Sequence, residues 1–289
     1  MMPERMMCGD VEVIALSDGL LAVDGGAMFG TVPKTEWVRE FPADPDNLIE
    51  ISLNSFLLKT PTELVLVDTG VGDKLEGPLS KSYAVRRERS LFESLHALGF
   101  KEEDIGVVIN THLHFDHCGG NTVRGASGSC EPAFPRAEYI VQKGERDFAL
   151  DPPPREQSSY LAETILPLES RGRLRLVEGD AGVCPGVRVF LTPGHTRHHQ
   201  SVRVESRGRV FVVLGDLVPT AAHVRSSSVM SFDLDPLETI ANKEKVFAEG
   251  LAGSWTYGFV HDPVHVFGRV ERVGPTYLFR HVSGRPASK

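Results

Sequence analysis

A chain of 289 residues with 41% apolar and 24% charged side chains has the make-up of a folded globular protein with room for a sizeable core. Its net charge of −8 excludes a phosphate-tracking surface, so no nucleic-acid partner is expected. No stretch approaches the ~20 apolar residues of a membrane span, which excludes a membrane-spanning role.

Residues 11–23 and 50–67 carry the alternation of strands. Between them, 24–48 is rich in Gly, Pro and Asp and too long for a hairpin turn. It reads as a lid or a packed loop, with Phe29, Trp37 and Phe41 as its apolar contacts. The strand ending Leu66-Val-Asp-Thr-Gly70 runs into an Asp-Thr-Gly turn. Residues 88–98 have helical spacing and stop at Gly99. The apolar strand 105–110 then delivers Thr111-His-Leu-His-Phe-Asp-His-Cys-Gly-Gly120.

That block holds His112, His114, Asp116 and His117 within six residues. A lone histidine is usually a surface or satisfied core residue. Three imidazoles and a carboxylate this close together point to metal, because nitrogen and carboxylate oxygen suit zinc and its first-row neighbours. His112 and His114 fall on one side of an extended backbone. Asp116 and His117 follow where the chain turns and can reach a second point, so the cluster could hold two ions. Cys118 reads as a small buried residue beside a tightly packed helix start.

Downstream, 136–142 reads as a strand and 143–168 as short helices broken by Pro152-Pro-Pro154. Strands near 173–178, 187–192, 200–204 and 209–214 follow. The pattern of a strand delivering a ligand-type residue recurs here: strand 187–192 ends in Pro193-Gly194-His195, and strand 210–214 delivers Gly215-Asp216. Asp235-Pro236 begins a helix through about Glu249, with an acidic N-cap and Pro in the first turn. Tyr257–Val260 runs into His261-Asp262, and the residues beyond are strand-like. Ligand-type residues on turns after strands are typical of function carried on a rigid scaffold. The pattern fits an α/β (α+β) chain: an αββα four-layer sandwich of two mixed sheets with helices on the outer faces, one domain over 1–289.

In order and spacing these motifs resemble the metallo-β-lactamase-fold hydrolase superfamily, from about residue 10 to about 282. The resemblance rests on His-x-His-x-Asp-His at 112–117, Thr-Pro-Gly-His at 192–195, Gly-Asp at 215–216, His261 and the Asp-Thr-Gly turn at 68–70. It implies that His112, His114 and His195 hold one metal and Asp116, His117 and His261 a second, with Asp216 bridging. Asp68 would orient the ligands through hydrogen bonds. The implied cofactors are two divalent ions, zinc by preference. The implied chemistry is attack by a metal-bridging hydroxide on an ester-type bond, with Asp116 orienting the nucleophile or taking its proton and Asp216 as the second catalytic carboxylate. The texture around Asp216-Leu-Val-Pro219 and Phe232-Asp-Leu-Asp-Pro236 is closest to the quorum-quenching lactonase and organophosphate hydrolase branch. A lactone or related ester is therefore the expected small-molecule substrate.

Two other readings share the motif. A persulfide dioxygenase would hold a single iron. A glyoxalase II-like thioesterase would carry a C-terminal helical domain, against which the strand-like residues after 262 count. A non-catalytic metal-stabilised binding protein is disfavoured by the full ligand set.

The other histidines divide. His199 is expected to tune its loop, His198 to be exposed, and His96 and His281 to be structural. His265 rivals His261, which is preferred because it directly follows the apolar strand. His223, close in sequence to Asp216, is a candidate to face substrate. Cys8, Cys118, Cys130 and Cys184 are widely spaced with no Cys-x-x-Cys, and the start of the chain lacks an apolar signal core. Both features make cytoplasmic residence the default. The oligomeric state is open, a homodimer included.

Overall fold

A computed structural model describes residues 3–75, 83–126 and 128–282. The ends of the expected 1–289 domain lie outside the described residues.

The first sheet opens with β1 (Arg5–Cys8), β2 (Val11–Asp24), β3 (Leu48–Lys59), β4 (Leu64–Val67), β5 (Val85–Arg86) and β6 (Ile105–Ile109). A small hairpin of β7 (Thr122–Arg124) and β8 (Cys130–Pro132) intervenes. β9 (Glu138–Gln142) and β10 (Leu174–Val177) complete the sheet in the order β1-β2-β3-β4-β6-β9-β10, with β5 beside β2. Its β1–β4 half is antiparallel and its β4-β6-β9-β10 half parallel.

The second sheet runs in sequence order: β11 (Ala181–Cys184), β12 (Val187–Leu191), β13 (Gln200–Ser206), β14 (Arg209–Val213), β15 (Thr256–Gly258), β16 (Phe267–Val273) and β17 (Thr276–His281). Only β14 and β15 pair in parallel among these neighbours.

The strand period explains how the layers stack. Successive side chains point to opposite faces. Val13, Phe56, Leu58, Val65, Val67 and Ile109 therefore meet Val189, Val202, Phe211 and Val213 between the sheets. Their neighbours Ile14, Leu57, Leu66 and Val108 point the other way, onto Leu91 and Leu95. Val212 and Leu214 likewise face Val246 and Phe247. The sheets are apolar on both faces, so each needs a helical cover, and the αββα sandwich follows.

Helices α1 (Gly25–Phe29) and α2 (Lys34–Trp37) sit in the long segment after β2. α3 (Leu91–Ala97) starts three residues later than the spacing predicts, because Ser90 caps it in a capping box with Glu93. α4 (Phe115–Cys118) is a single turn inside the histidine block, and α5 (Lys143–Leu150) and α6 (Leu166–Ser170) follow. α7 (Pro236–Gly253) outruns its expected end at about 249 and stops where Ser254 turns left-handed at φ 52°.

Strands β1 and β11 are further departures from the expected pattern. β1 offers too few residues to establish a period, and β11 holds a glycine and a register shift. Segment 24–48 proves to be packed: Phe29, Trp37 and Phe41 are buried, with the Phe29 and Trp37 rings stacked at 5.2 Å. No helix among the described residues is long and apolar enough to cross a membrane.

Candidate metal centre

The side chains marked out by the sequence come from turns that follow strands. Asp68 follows β4; His112 and His114 follow β6, with Asp116 and His117 on α4. His195 follows β12, Asp216 follows β14 and His261 follows β15. The two sheets are stitched where these turns meet. Ser52 N donates to His261 O at 3.1 Å, and Gln200 Nε2 donates to Asn110 O at 2.8 Å.

Local packing fixes the turns. A Cβ on Gly119 would lie 2.0 Å from Val71 O, and one on Gly120 2.3 Å from Thr69 O, so only glycine lets the Asp-Thr-Gly turn press against the histidine turn. The buried Lys74 ammonium donates to Gly119 O at 2.6 Å and to Thr122 O, fastening the same junction. Gly215 holds φ 57°, and a Cβ there would stand 2.5 Å from His199 Nε2.

The ligand-type atoms converge in three overlapping groups: His112, His114 and His195; His112, His117 and Asp216; and Asp116, His117 and His261. Within each group they lie within 4.8 Å of one another. His112, His195, His117 and His261 are fully or almost fully buried, and Asp216 is 5% exposed.

The outward ring nitrogens are engaged. His117 Nδ1 lies 3.0 Å from Asp68 Oδ2, His195 Nδ1 3.0 Å from Asp233 Oδ1 and His261 Nδ1 2.8 Å from Ser52 O. His112 Nδ1 meets Thr111 Oγ1 at 3.1 Å, and that hydroxyl donates to Asp68 Oδ2 at 2.8 Å. A neutral imidazole that donates from Nδ1 presents a bare lone pair at Nε2. Yet His117 Nε2 and His261 Nε2 stand 3.1 Å apart, as do His195 Nε2 and His114 Nδ1.

Asp216 joins both pairs: Oδ1 is 3.4 Å from His117 Nε2 and 3.2 Å from His261 Nε2, while Oδ2 is 3.3 Å from His195 Nε2. Asp116 Oδ2 is 3.8 Å from His117 Nε2 and 3.6 Å from His261 Nε2. His112 Nε2 is buried without a hydrogen-bond partner. Acceptors thus face acceptors, an arrangement that calls for protons or cations between them. The donor set is imidazole and carboxylate with its outer hydrogen bonds in place, which fits divalent metal.

The titration pattern has the same cause. Burial alone would depress His117 and His195, but Asp216 next to both holds them above the usual histidine value. Burial, reinforced by His117 and His114, drives His112 well below it. Burial would raise the Asp216 carboxyl, but His261, His117 and His195 hold it well below the carboxylate range.

His199 keeps out of the cluster. It is buried, its pKa is pushed down to about 3 by burial and then by His195, and its Nε2 accepts the Asp216 backbone N–H at 3.1 Å. His198 is half-buried against Gly144 rather than exposed, and His265 packs on Phe279 away from the cluster.

The expectation that His223 faces substrate is corrected. Its ring is fully buried, Nδ1 meets Thr220 Oγ1 at 2.7 Å, Nε2 meets Met28 O at 2.9 Å, and Phe29 stacks on it at 4.7 Å. It braces α1 beneath the cavity and does not line it.

A cavity of about 260 Å³ opens above the cluster, with His114, Asp116, His195, Asp216 and His261 on its floor. One wall is apolar, built from Leu21, Val23, Met28, Ile51, Met230 and Phe232. The other carries Arg155, Glu156, Ser158 and Ser159.

Sequence reasoning passed over three buried acids around the centre. Asp233 holds His195. Glu156 adjoins His114 at 3.7 Å. Glu145 accepts from Leu113 N, Tyr160 Oη and Thr196 Oγ1 at 3.1, 3.2 and 2.7 Å, tying two ligand turns together. Only Asp233 carries a local signal, its place in the Phe232-Asp-Leu-Asp-Pro236 run that supports the resemblance to the lactonase branch.

Residues 50–252 match the profile of the metallo-beta-lactamase superfamily. An N-acyl homoserine lactonase of Bacillus cereus is 32% identical over 180 residues, covering 59% of this chain and 65% of that protein. The match thus spans just under two thirds of that relative's length. An N-acyl homoserine lactonase of Agrobacterium fabrum is 24% identical over 233 residues, covering 76% and 82% of the two chains. Among solved structures, a probable metal-dependent hydrolase from Staphylococcus aureus superposes with a TM-score of 0.86 at 28% identity, covering 96% of this chain and 99% of that one. A dizinc quorum-quenching lactonase in complex with a product has a TM-score of 0.80 at 21% identity, covering 97% of each chain, and speaks to the fold alone.

Proposed function

The chain belongs to the metallo-beta-lactamase superfamily, and we propose that it is a dinuclear metal-dependent hydrolase that opens a lactone or related ester. The observation that carries this reading is Asp216, whose Oδ1 faces His117 and His261 while its Oδ2 faces His195. His112, His114 and His195 would hold one ion, and Asp116, His117 and His261 the other, with Asp216 shared.

Charge favours two ions over one. Asp116 and Asp216 in the cluster, with Asp68, Asp233 and Glu156 against its histidines, bring formal charges of −5. One divalent ion leaves −3 and two leave −1. A single-iron dioxygenase would leave Asp116, His117 and His261 without a cation. Strands β16 and β17, which follow residue 262, count against a thioesterase of the glyoxalase II kind with its C-terminal helical domain.

Two divalent ions so held, zinc by preference, would supply a nucleophilic water at neutral pH and polarise the scissile carbonyl. The protein's own groups do the rest. The apolar wall from Leu21 to Phe232 seats the substrate's hydrocarbon part and excludes water from the reacting bond. Asp116 is the least buried of the proposed ligands and lies on the cavity floor, where it can take the water's proton and return it to the leaving oxygen. His199 fixes Asp216 by accepting its backbone N–H.

The names of the relatives support a lactone over other esters. The test is hydrolysis by the zinc-loaded protein of N-hexanoyl homoserine lactone, simple γ- and δ-lactones, aryl esters and a phosphotriester. Lactone opening that a chelator abolishes and zinc restores is the expected result. Activity on none of these, or activity indifferent to chelation, would overturn the proposal.

A further inference from the structure

The polar wall of the cavity contains a carboxylate with no place in the ligand set. Glu156 is 5% exposed, lies on the cavity and brings Oε2 to 3.7 Å from His114 Nε2. That nitrogen is buried and has no hydrogen-bond partner. The contrast with the rest of the cluster is specific. His112, His117, His195 and His261 each have an outward nitrogen within 3.1 Å of an acceptor, whereas His114 points Nδ1 inward and leaves Nε2 to Glu156.

Glu156 is itself held. Arg155 Nε lies 3.3 Å from Glu156 Oε1, and Arg155 Nη2 donates to Ser231 O at 2.7 Å. Ser231 stands between Met230 and Phe232 on the apolar wall, two residues before the Asp233 that holds His195. The path His114, Glu156, Arg155, Ser231, Asp233, His195 returns to its start, because His195 Nε2 is 3.1 Å from His114 Nδ1.

We propose that Glu156 is the positioning residue for His114, accepting its Nε2 proton so that Nδ1 is offered inward, and that Arg155 ties this pair to the loop carrying Asp233. The inference rests on the reading that these histidines bind metal. Its physical basis is general. An imidazole that binds through one nitrogen keeps its tautomer and orientation when the other N–H has an acceptor, and loss of such a partner typically weakens the metal 10- to 100-fold. The 3.7 Å gap needs roughly 0.8 Å of approach to reach ordinary hydrogen-bond length.

The experiment is zinc titration of the full chain against a chromogenic chelator for the parent, E156A, E156Q and R155A, with cobalt(II) absorption as a second readout. E156A should bind one of two ions about 10- to 100-fold more weakly and the other within about twofold, with an altered cobalt spectrum for the weakened site. E156Q keeps a carbonyl acceptor and should stay within about threefold of the parent, and R155A should fall between them.

An E156A protein that binds both ions like the parent overturns the pairing, and so does E156Q as weak as E156A. The zinc-loaded parent gives an arm that needs no variant. Its histidine ring 1H–15N spectrum should contain two buried rings protonated at Nε2 with slowed exchange, His223 on Met28 O and His114 on Glu156, and finding only the His223 proton slowed overturns the pairing. A parent that binds one ion or none contradicts the two-ion reading itself, which separates the two failures.

Discussion

Asp68→Asn isolates the hydrogen bonding that orients the proposed centre. Asp68 is 1% exposed and gathers three donors: Thr111 N and Thr111 Oγ1, each at 2.8 Å, and His117 Nδ1 at 3.0 Å. Its φ is 57°, a left-handed conformation that asparagine tolerates as well as aspartate, so the backbone is not perturbed. An amide offers one acceptor oxygen. In its better orientation that oxygen keeps Thr111 Oγ1 and His117, while the NH2 group confronts the Thr111 N–H.

The loss is one charge-assisted hydrogen bond, about 1.5–3 kcal/mol, plus one unsatisfied buried donor, about 1–3 kcal/mol. A total of about 4 kcal/mol, at roughly 2 °C per kcal/mol for a chain of this size, lowers the Tm of the metal-free protein by about 8 °C. His117 keeps the amide oxygen as its acceptor, so zinc affinity should stay within about threefold of the parent, as for E156Q. Thermal melting and zinc competition measure the two effects. A metal-free Tm within 2 °C of the parent, or a zinc affinity lowered about tenfold or more, would refute the reasoning.

Other consequences are as definite. His223 is held neutral, its pKa pushed down to about 3 by burial and then by Lys243. Because the unfolded chain takes the proton first, the stability present above about pH 6.5 is lost as pH falls toward 3. The Tm advantage of the metal-free parent over His223→Gln should therefore narrow between pH 7 and pH 5; a constant gap would count against it. Gly215→Ala forces a Cβ to 2.5 Å from His199 Nε2 at φ 57°, so Asp216 must shift; melting should drop by several degrees and lactone hydrolysis at least tenfold, and parent-like values would contradict the assignment. Leu21→Trp fills the apolar wall, so kcat/KM for a long-chain acyl lactone should fall more than for a short-chain one, and equal losses would argue that the chain lies elsewhere.

Much of the architecture could be read from alternation. Val13 against Ile14 and Val65 against Leu66 repeat the same inward and outward choice, and such runs define buried strands. The convergence of the ligand-type residues was legible too, because each follows a strand and four of them are nearly contiguous. What the letters did not yield depends on tertiary contact.

Glu145 and Glu156 are ordinary acids in a segment of short helices; only folding brings them to Leu113, Thr196 and His114. Asp18 sits at a β-bulge and accepts from Val71 N, Gly72 N and Leu91 N, all at 3.0 Å, fastening the Asp-Thr-Gly turn from a distant strand. His223 misled through sequence proximity to Asp216, since its surroundings come from Met28 and Phe29 on another element. The late start of α3 was available in Ser90 and Glu93, a capping box that outweighs helical spacing at 88–90.

The central claim is that one carboxylate bridges two ions, and elemental analysis of the protein purified without added metal tests it most directly, on the parent and on Asp216→Ala side by side. The account predicts about two divalent ions per parent chain, fewer than two in the variant, and lactone hydrolysis lost with them. One iron per chain in the parent, or two ions and full activity retained by Asp216→Ala, would contradict it.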